Sequence, residues 1–356
     1  MRVLVVNAGS SSLKLRALDH DDALLASTDT IDVGSFVAGL EGIEAVGHRV
    51  VHGGPQFTGP VRIDEEVREA LERLVPLAPL HQAASLRGIA ETGTALPGVP
   101  AVACFDTAFH ANMPPAAATY ALPRAWIERW GLRRYGFHGL SHAWAATRGA
   151  ALAGADLADL RVVTCHLGAG ASCCALLGGR SVDTTMGFTP LDGLVMATRC
   201  GTVDPGLVVW LVDTAGLSAS EVSDSLERAS GLAGLAGGTG DAREVLAAAE
   251  GGDDRARLAL DVWAHRLRSE IAAMAAAAGG LDLLVFTGGI GEHQPSMRAA
   301  ACDNLGWLGV QLDPALNALA SADAVVSQER ARVVVAVVTA REDVAIARQV
   351  RSLLQR

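Results

Sequence analysis

The chain has 356 residues, half of them hydrophobic but only 4% aromatic, so its cores rest on Ala, Val and Leu. That length predicts two or three domains with ample chain for buried cores. A formal charge of −10 with no basic run argues against nucleic-acid binding and against an anionic membrane surface.

The six cysteines (104, 165, 173, 174, 200 and 302) show neither C-x-x-C spacing nor a small disulfide framework. They predict reduced, buried thiols in a cytoplasmic protein. No apolar stretch approaches the roughly eighteen residues of a membrane span, and Val3–Val6 is too short for a signal-peptide core.

In chain order, Val3–Val6 predicts a short buried strand, β-branched and ended by the turn Asn7-Ala-Gly9-Ser10-Ser11. Gly9 permits close backbone approach to a ligand, and Ser10, Ser11 and Ser12 add hydroxyl donors. Alternation resumes at Leu13, Leu15 and Ala17, so a second strand returns as a hairpin. A turn so dense in donors, followed by Lys14, suits phosphate; a plain Gly/Ser hairpin turn fits the same residues equally well. Strands over residues 1 to about 31 lead to a short helix and a strand at Ala45–Val51. Asp64–Val75 and His81–Leu96 predict helices, and Pro100–Phe105 a strand ending at Asp106. A loop at Met113-Pro-Pro precedes a helix carrying Trp126 and Trp130, and the domain connection is expected within 106–120.

The second half restarts the opening. Arg161–Cys165 predicts a strand, His166-Leu-Gly168-Ala-Gly170-Ala-Ser172 a glycine-rich turn, and Cys173–Leu177 a return strand. Laid over the first hairpin, Gly168 falls on Gly9. Two such loops on either side of a cleft would grip a polyphosphate. Helices are expected at about 206–214, 219–227, 241–249 and 255–278, the last Ala-rich. Leu281–Phe286 predicts a strand running into Thr287-Gly-Gly-Ile-Gly-Glu292. Arg332–Val338 is the last strand and Glu342–Leu354 the closing helix. Strands and helices in alternation predict α/β layering.

Several nucleotide and hydrolase signatures are absent: no G-x-x-x-x-G-K-[ST], no G-x-G-x-x-G opening a helix, no D-F-G. Gly139-Leu-Ser141-His-Ala143 fails the nucleophile-elbow pattern at its fifth position. Six other motifs occur together and in order. They are Asn7-Ala-Gly-Ser-Ser-Ser-Leu-Lys14, His48-Arg49-Val-Val-His52-Gly-Gly54, Phe105-Asp106-Thr-Ala-Phe-His110, Tyr135-Gly-Phe-His138-Gly-Leu-Ser-His142, Thr189-Pro190-Leu-Asp-Gly193 with Thr198-Arg199-Cys-Gly201, and Phe286-Thr-Gly-Gly-Ile-Gly-Glu292. On these the chain resembles the acetate kinase family, nearly end to end.

The resemblance implies two ribonuclease-H-like domains around a nucleotide cleft, in the superfamily of sugar kinases and actin. Their expected bounds are 1–110 with 344–356, and 111–343. It implies reversible transfer of the ATP γ-phosphoryl to acetate, with propionate or butyrate kinase, or a non-catalytic nucleotide-binding relative, as the rival readings. A carboxylate acceptor is already ionised, so such a site needs positive charge and alignment more than a strong base. Arg49 and Arg199 supply that charge. By resemblance His138 stabilises the transferring phosphoryl and Asp106 orients an arginine or metal-bound water. The resemblance also implies that Leu80, Phe137 and Pro190 complete an acyl pocket begun by Arg49, Val51 and Arg199.

For the nucleotide, the resemblance implies Ser10, Ser12, Lys14, His166, Gly168, Gly170, Asp241, Ala242, Arg243, Gly289, Ile290 and Gly291. Asn7 and Glu342 are implied at a Mg2+ site, with Mn2+ as the substitute ion; Asp343 is a neighbouring candidate. A homodimer joined through the second domain is implied as well. Read without the family, His138 and His142 have zinc-ligand spacing but no third ligand nearby, His48 and His52 suit packing, and Asp106 suits a helix cap. Ala169 and His293 depart from the family, each standing where asparagine is usual, and the stretch between Lys14 and His48 is shorter than in most members.

Overall fold

The computed structural model describes residues 1–8, 13–30 and 32–355, without the side chains of Thr30, Pro79, Leu80 and His81. The chain forms two compact units, each built on one six-stranded sheet. The first comprises Met1–Ala111, Phe137–Trp144 and Arg341–Arg356; the second comprises Asn112–Gly136 and Ala145–Ala340. Phe137–Trp144 groups with the first unit for a local reason. Gly139 N–H donates to the Asp106 carbonyl at 2.9 Å, and Leu140 is buried in one core with Val3 and Val5.

The first sheet holds β1 (Val3–Ala8), β2 (Leu13–Leu18), β3 (Leu24–Thr30), β4 (Ala45–Val50), β5 (Val61–Arg62) and β6 (Ala101–Phe105). Their spatial order is β3-β2-β1-β4-β6-β5. β1, β2 and β3 form an antiparallel meander, β1, β4 and β6 run parallel, and β5 closes the edge antiparallel to β6. The apolar run in β1 is continuous because both faces are covered. Val3 and Val5 enter one cluster with Val344, Ile346, Ala347 and Val350 of the helix Glu342–Leu354. Leu4, Val6 and Ala8 enter another with Val33, Val37 and Ala84. The closing helix lies so near β4 that a Cβ at Gly47 would stand 2.8 Å from Val350 Cγ2.

The second sheet holds β7 (Arg161–Leu167), β8 (Ala171–Leu177), β9 (Arg180–Thr184), β10 (Leu283–Thr287), β11 (Ala324–Val325) and β12 (Val334–Val337), in the order β9-β8-β7-β10-β12-β11. Its pairings repeat the first sheet strand for strand, including a two-residue edge strand antiparallel to the last parallel one. The duplication suggested by the Gly9–Gly168 echo is therefore complete at the level of topology. The helix Asp254–Ala277 packs on β7, β8 and β9. Its N-cap Asp253 accepts from the N–H groups of Arg255 and Ala256.

Some elements differ from the sequence reading. β4 stops at Val50, so Val51 and His52 lie just beyond the strand. β5, β9 and β11, and the helices Gly139–Leu152, Gly231–Ala236 and Gly288–His293, appear in addition. All six cysteines are free thiols, and all but Cys200 are buried. Among the described residues no helix is long and apolar enough to cross a membrane.

Candidate active site

In the first unit, strand register does the positioning. Asn7 on β1 is level with Arg49 on β4, and Arg49 with Cys104 on β6, two residues before Asp106. Three parallel strands thus end side by side, and open α/β sheets bind ligands beyond such carboxyl ends. Arg49 donates from Nε to Asp106 Oδ1 at 3.0 Å and from Nη2 to Oδ2 at 2.6 Å, a fork on a fully buried carboxylate. Its Nη1 reaches Asn7 Oδ1 at 3.2 Å. Glu342, the first residue of the closing helix, lies 3.6 Å from Arg49 Nε and accepts from Asn7 Nδ2 at 3.4 Å. Burial weakens the Arg49 charge, but Asp106 and Glu342 outweigh it and hold the guanidinium protonated more firmly than usual.

Beside this cluster lies a group of rings. His138 adopts φ +56°, a left-handed conformation uncommon for a side chain with a Cβ. Such an outlier is held in place by its surroundings and marks a candidate functional residue. Here the following Gly139 is pinned to Asp106, with no room for a Cβ against that carbonyl oxygen. His138 lies 6.4 Å from His142 and His142 5.8 Å from His110, centroid to centroid. His110 Nε2 bonds the Phe137 carbonyl at 3.0 Å. Burial pushes the His110 pKa down to about 4, with the Phe137 carbonyl opposing. Val51 and Phe137 are buried apolar residues, as an acyl pocket requires; the Leu80 side chain lies outside the described residues.

His48 and His52 are packing histidines. His48 is within 3.2 Å of Thr92 Oγ1, and burial drops its pKa to about 3. His52 is brought by burial to about 4, and its Nδ1 accepts from Gly54 N–H at 2.8 Å, which places the neutral-ring proton on Nε2. No group of three or more His, Cys, Asp or Glu among the described residues is arranged to hold a metal ion.

In the second unit, Arg199 Nη1 donates to the Pro190 carbonyl at 2.7 Å. Its turn is wound tightly. Thr198 Oγ1 donates to Glu227 O at 2.9 Å, and Gly201 at φ +71° leaves only 2.5 Å between a would-be Cβ and the carbonyls of Gly193 and Leu194. Burial lowers the Arg199 pKa, with Glu227 opposing.

A cavity of about 470 Å³ in this unit is lined by Gly168, Asp241, Ala242, Arg243, Gly289 and Ile290, all expected at a nucleotide. Ala169 and His293 line it too, together with Ala197, Gly240 and Gln294, which sequence reasoning did not single out. The signal for Gly240 is its place before Asp241: at φ +75° a Cβ would strike the Ala197 carbonyl. Asp241 caps the helix Ala242–Glu250 and forks onto Arg243, whose side-chain hydrogen bonds bring its carboxyl down to about 2. Gly170 and Gly291 do not line the cavity. His166 is level with Thr287 at the end of β10, and Lys14 is exposed on β2 opposite Asn7. Ser10 and Ser12 lie outside the described residues.

These geometries can be set beside known proteins. A family model described as the acetokinase family matches residues 15–348. The acetate kinase of Synechococcus sp. (strain JA-2-3B'a(2-13)) is 51% identical over 322 residues, covering 90% of this chain and 79% of that one. The acetate kinase of Leifsonia xyli subsp. xyli is 46% identical over 387 residues, with 98% and 97% covered. Among solved structures, Porphyromonas gingivalis acetate kinase superposes with a TM-score of 0.92 at 36% identity, 99% of each chain being covered. A propionate kinase from Francisella tularensis subsp. tularensis gives 0.92 at 33%, again over 99% of each chain. The expected doubled α/β fold and the resemblance read from six ordered motifs agree with all of these, and the chain belongs to the acetokinase family.

Proposed function

We propose that the chain is an acetate kinase that moves the γ-phosphoryl of ATP reversibly, in line, onto acetate, giving acetyl phosphate and ADP. The observation that carries this reading is the Asn7–Arg49–Asp106–Glu342 cluster at the ends of three parallel strands. Asp106 spends both oxygens holding one edge of the Arg49 guanidinium and Asn7 Oδ1 takes a further N–H, which leaves the other Nη1 and Nη2 hydrogens to meet an anion. Arg49 and Arg199 draw the acceptor carboxylate in and neutralise charge on the transferring oxygens. His138 donates to the phosphoryl oxygens, and Val51, Phe137 and Pro190 exclude water around the methyl group. The cavity lined by Asp241, Gly289 and Ile290 takes the nucleoside.

The oxygen donors at Asn7 and Glu342 suit a hard cation such as Mg2+ that keeps most of its waters. When bound, the ion screens the β- and γ-phosphate charge.

A propionate or butyrate kinase remains a second reading, supported by the likeness to the Francisella propionate kinase. One methylene in such a pocket is worth only about 1–3 kcal/mol. The homodimer is part of the same proposal. The helix Pro205–Asp213 buries none of its residues, and Leu207, Val209 and Trp210 are each about half exposed. An apolar helix of this kind asks for a partner surface, and a second copy of the chain is the simplest one. A cytoplasmic location is consistent with the free thiols.

Acyl phosphate trapped with hydroxylamine tests the reading, with ATP or pyrophosphate as donor and C2 to C4 acids as acceptors. ATP-dependent product with a kcat/KM highest for acetate is expected. No product with any acid would favour a binding-only protein, and a clear butyrate preference would overturn acetate.

A further inference from the structure

Glu292 has no part in the chemistry above, yet its geometry is specific. Its side chain is almost wholly buried, and one oxygen, Oε1, accepts two backbone N–H groups at 3.0 Å each, from Gly288 and from Ala340. Gly288 opens the turn that brings Gly289 and Ile290 to the cavity. It sits at φ +79° with only 2.8 Å between a would-be Cβ and the Leu167 carbonyl, so packing fixes the direction of its N–H. Ala340 lies 48 residues beyond Glu292, and the chain runs from it through Arg341 to Glu342, the partner of Asn7 and Arg49.

The surroundings leave little slack. Asp323 Oδ1 accepts Thr339 N–H at 2.8 Å, one residue before Ala340. The far end of the cavity turn is clamped by Arg298, which is buried and donates from Nη1 to the carbonyls of Gly291 and Glu292, both at 2.9 Å. With that end fixed, a shift of Gly288 either breaks a buried hydrogen bond or draws Ala340 along. Breaking the Gly288 bond leaves a buried N–H unsatisfied, the costly outcome for a backbone group, and the Ala340 bond is itself partly buried.

Register adds a parallel. In the first sheet Asn7 is level with Arg49 and Arg49 with Cys104, two residues before Asp106. In the second, His166 is level with Thr287, which follows the Phe286–Val337 pair, so Ala340 holds the place of Asp106. The second sheet has no acid on the strand there, and Glu292 delivers a carboxylate to that place from the cavity turn.

We infer that Glu292 is a positioning residue coupling occupancy of the nucleotide cavity to the placement of Glu342. The inference rests on the proposed assignment of the cavity to ATP and ADP and of Glu342 to the metal side. Calorimetric titration of the full chain with ADP, in Mg2+ and in EDTA, tests it without turnover. The readout is the ratio of the dissociation constant in EDTA to that in Mg2+. Glu292→Asp shortens the reach by one methylene and cannot hold both N–H groups, while Glu292→Gln keeps the amide oxygen as acceptor. Ala340→Pro removes only the far N–H, so it attacks the link from the other end and serves if Glu292→Asp does not fold.

Glu292→Asp and Ala340→Pro should each lower the ratio about fivefold or more, the low end of ordinary coupling between sites. Glu292→Gln should stay near wild type. Ile290→Ala should weaken ADP in both buffers alike and keep the ratio, as a purely local support would. If Glu292→Asp or Ala340→Pro behaved like Ile290→Ala, or if Glu292→Gln fell as far as Glu292→Asp, the coupling would be refuted. Wild-type protein that bound no ADP in either buffer would instead sink the nucleotide reading, and the coupling with it.

Discussion

Asp106 and Arg49 face each other as a two-pronged pair, Oδ1 to Nε at 3.0 Å and Oδ2 to Nη2 at 2.6 Å, with Asp106 fully buried. The pair sets the plane of the guanidinium and so the direction of its remaining N–H groups. Asp106→Asn keeps the shape but replaces one accepting oxygen with an amide donor aimed at Arg49. Breaking a buried pair from one side costs about 3–5 kcal/mol. We expect a melting transition lowered accordingly and kcat reduced at least about 100-fold, since misplacement alone costs that much. Unchanged kcat in a folded Asp106→Asn enzyme would rule out a positioning role.

Arg199 is tethered by one strong contact, to the Pro190 carbonyl, and lies on a turn held by its neighbours. Arg199→Ala should therefore leave thermal stability near wild type. If the guanidinium neutralises transferring charge, kcat should fall on the order of 10³-fold or more. Near-full turnover would reject that role, and partial recovery with added guanidinium would support it.

Three buried histidines of the first unit make its stability pH-dependent. Burial brings His48 to about 3 and His52 and His110 to about 4, against 6.5 for a free histidine. All are neutral in the folded chain at pH 7. As pH drops from 6.5 to 4 the unfolded chain takes up protons that the folded chain refuses. Stability should thus be complete above pH 6.5 and decline below it, by up to about 1.4 kcal/mol per pH unit for each histidine. Urea melts at pH 7, 6 and 5 measure the slope. His48→Leu should remove about one proton's share, because Thr92 Oγ1 retains its bond to Gly88 O.

The exposed helix Pro205–Asp213 gives a test of assembly. Trp210→Glu places a charge in its apolar surface without touching a buried residue. Sedimentation should show wild type at twice the chain mass and the variant shifted toward one chain. A wild-type monomer at micromolar concentration would dismiss the dimer.

Much of the architecture was readable as pattern, because the parallel strands at the centre of both mixed sheets are buried and stand out as apolar runs. Val3–Val6 and Leu283–Phe286 are such runs. β5 and β11 were not readable, since two residues carry no period. The helix Gly139–Leu152 escaped because glycine, serine and alanine dilute its apolar stripe. At the candidate site, Asn7, Arg49 and Asp106 stand in family motifs and Glu342 follows by resemblance outside them, but their meeting depends on the register of three strands and on a helix over 300 residues from Asn7. Glu292 stands out in the sequence only as the end of a motif. Its partner Ala340 is an unremarkable alanine contributing a backbone N–H, which no sequence pattern announces.

The closing helix also has a bearing on how the protein is made. Val344, Ile346, Ala347 and Val350 cover the face of the first sheet that carries Val3, Val5 and Ala45. During synthesis those strand residues emerge well before their cover, which follows in the chain only after the whole second unit. The second unit, ending at Ala340, is complete before then. Folding on the ribosome should thus run against the usual N-terminal-first order, with the nested unit settling while the earlier sheet waits with one bare side. That interval is when the nascent chain is most exposed to chaperones and to aggregation.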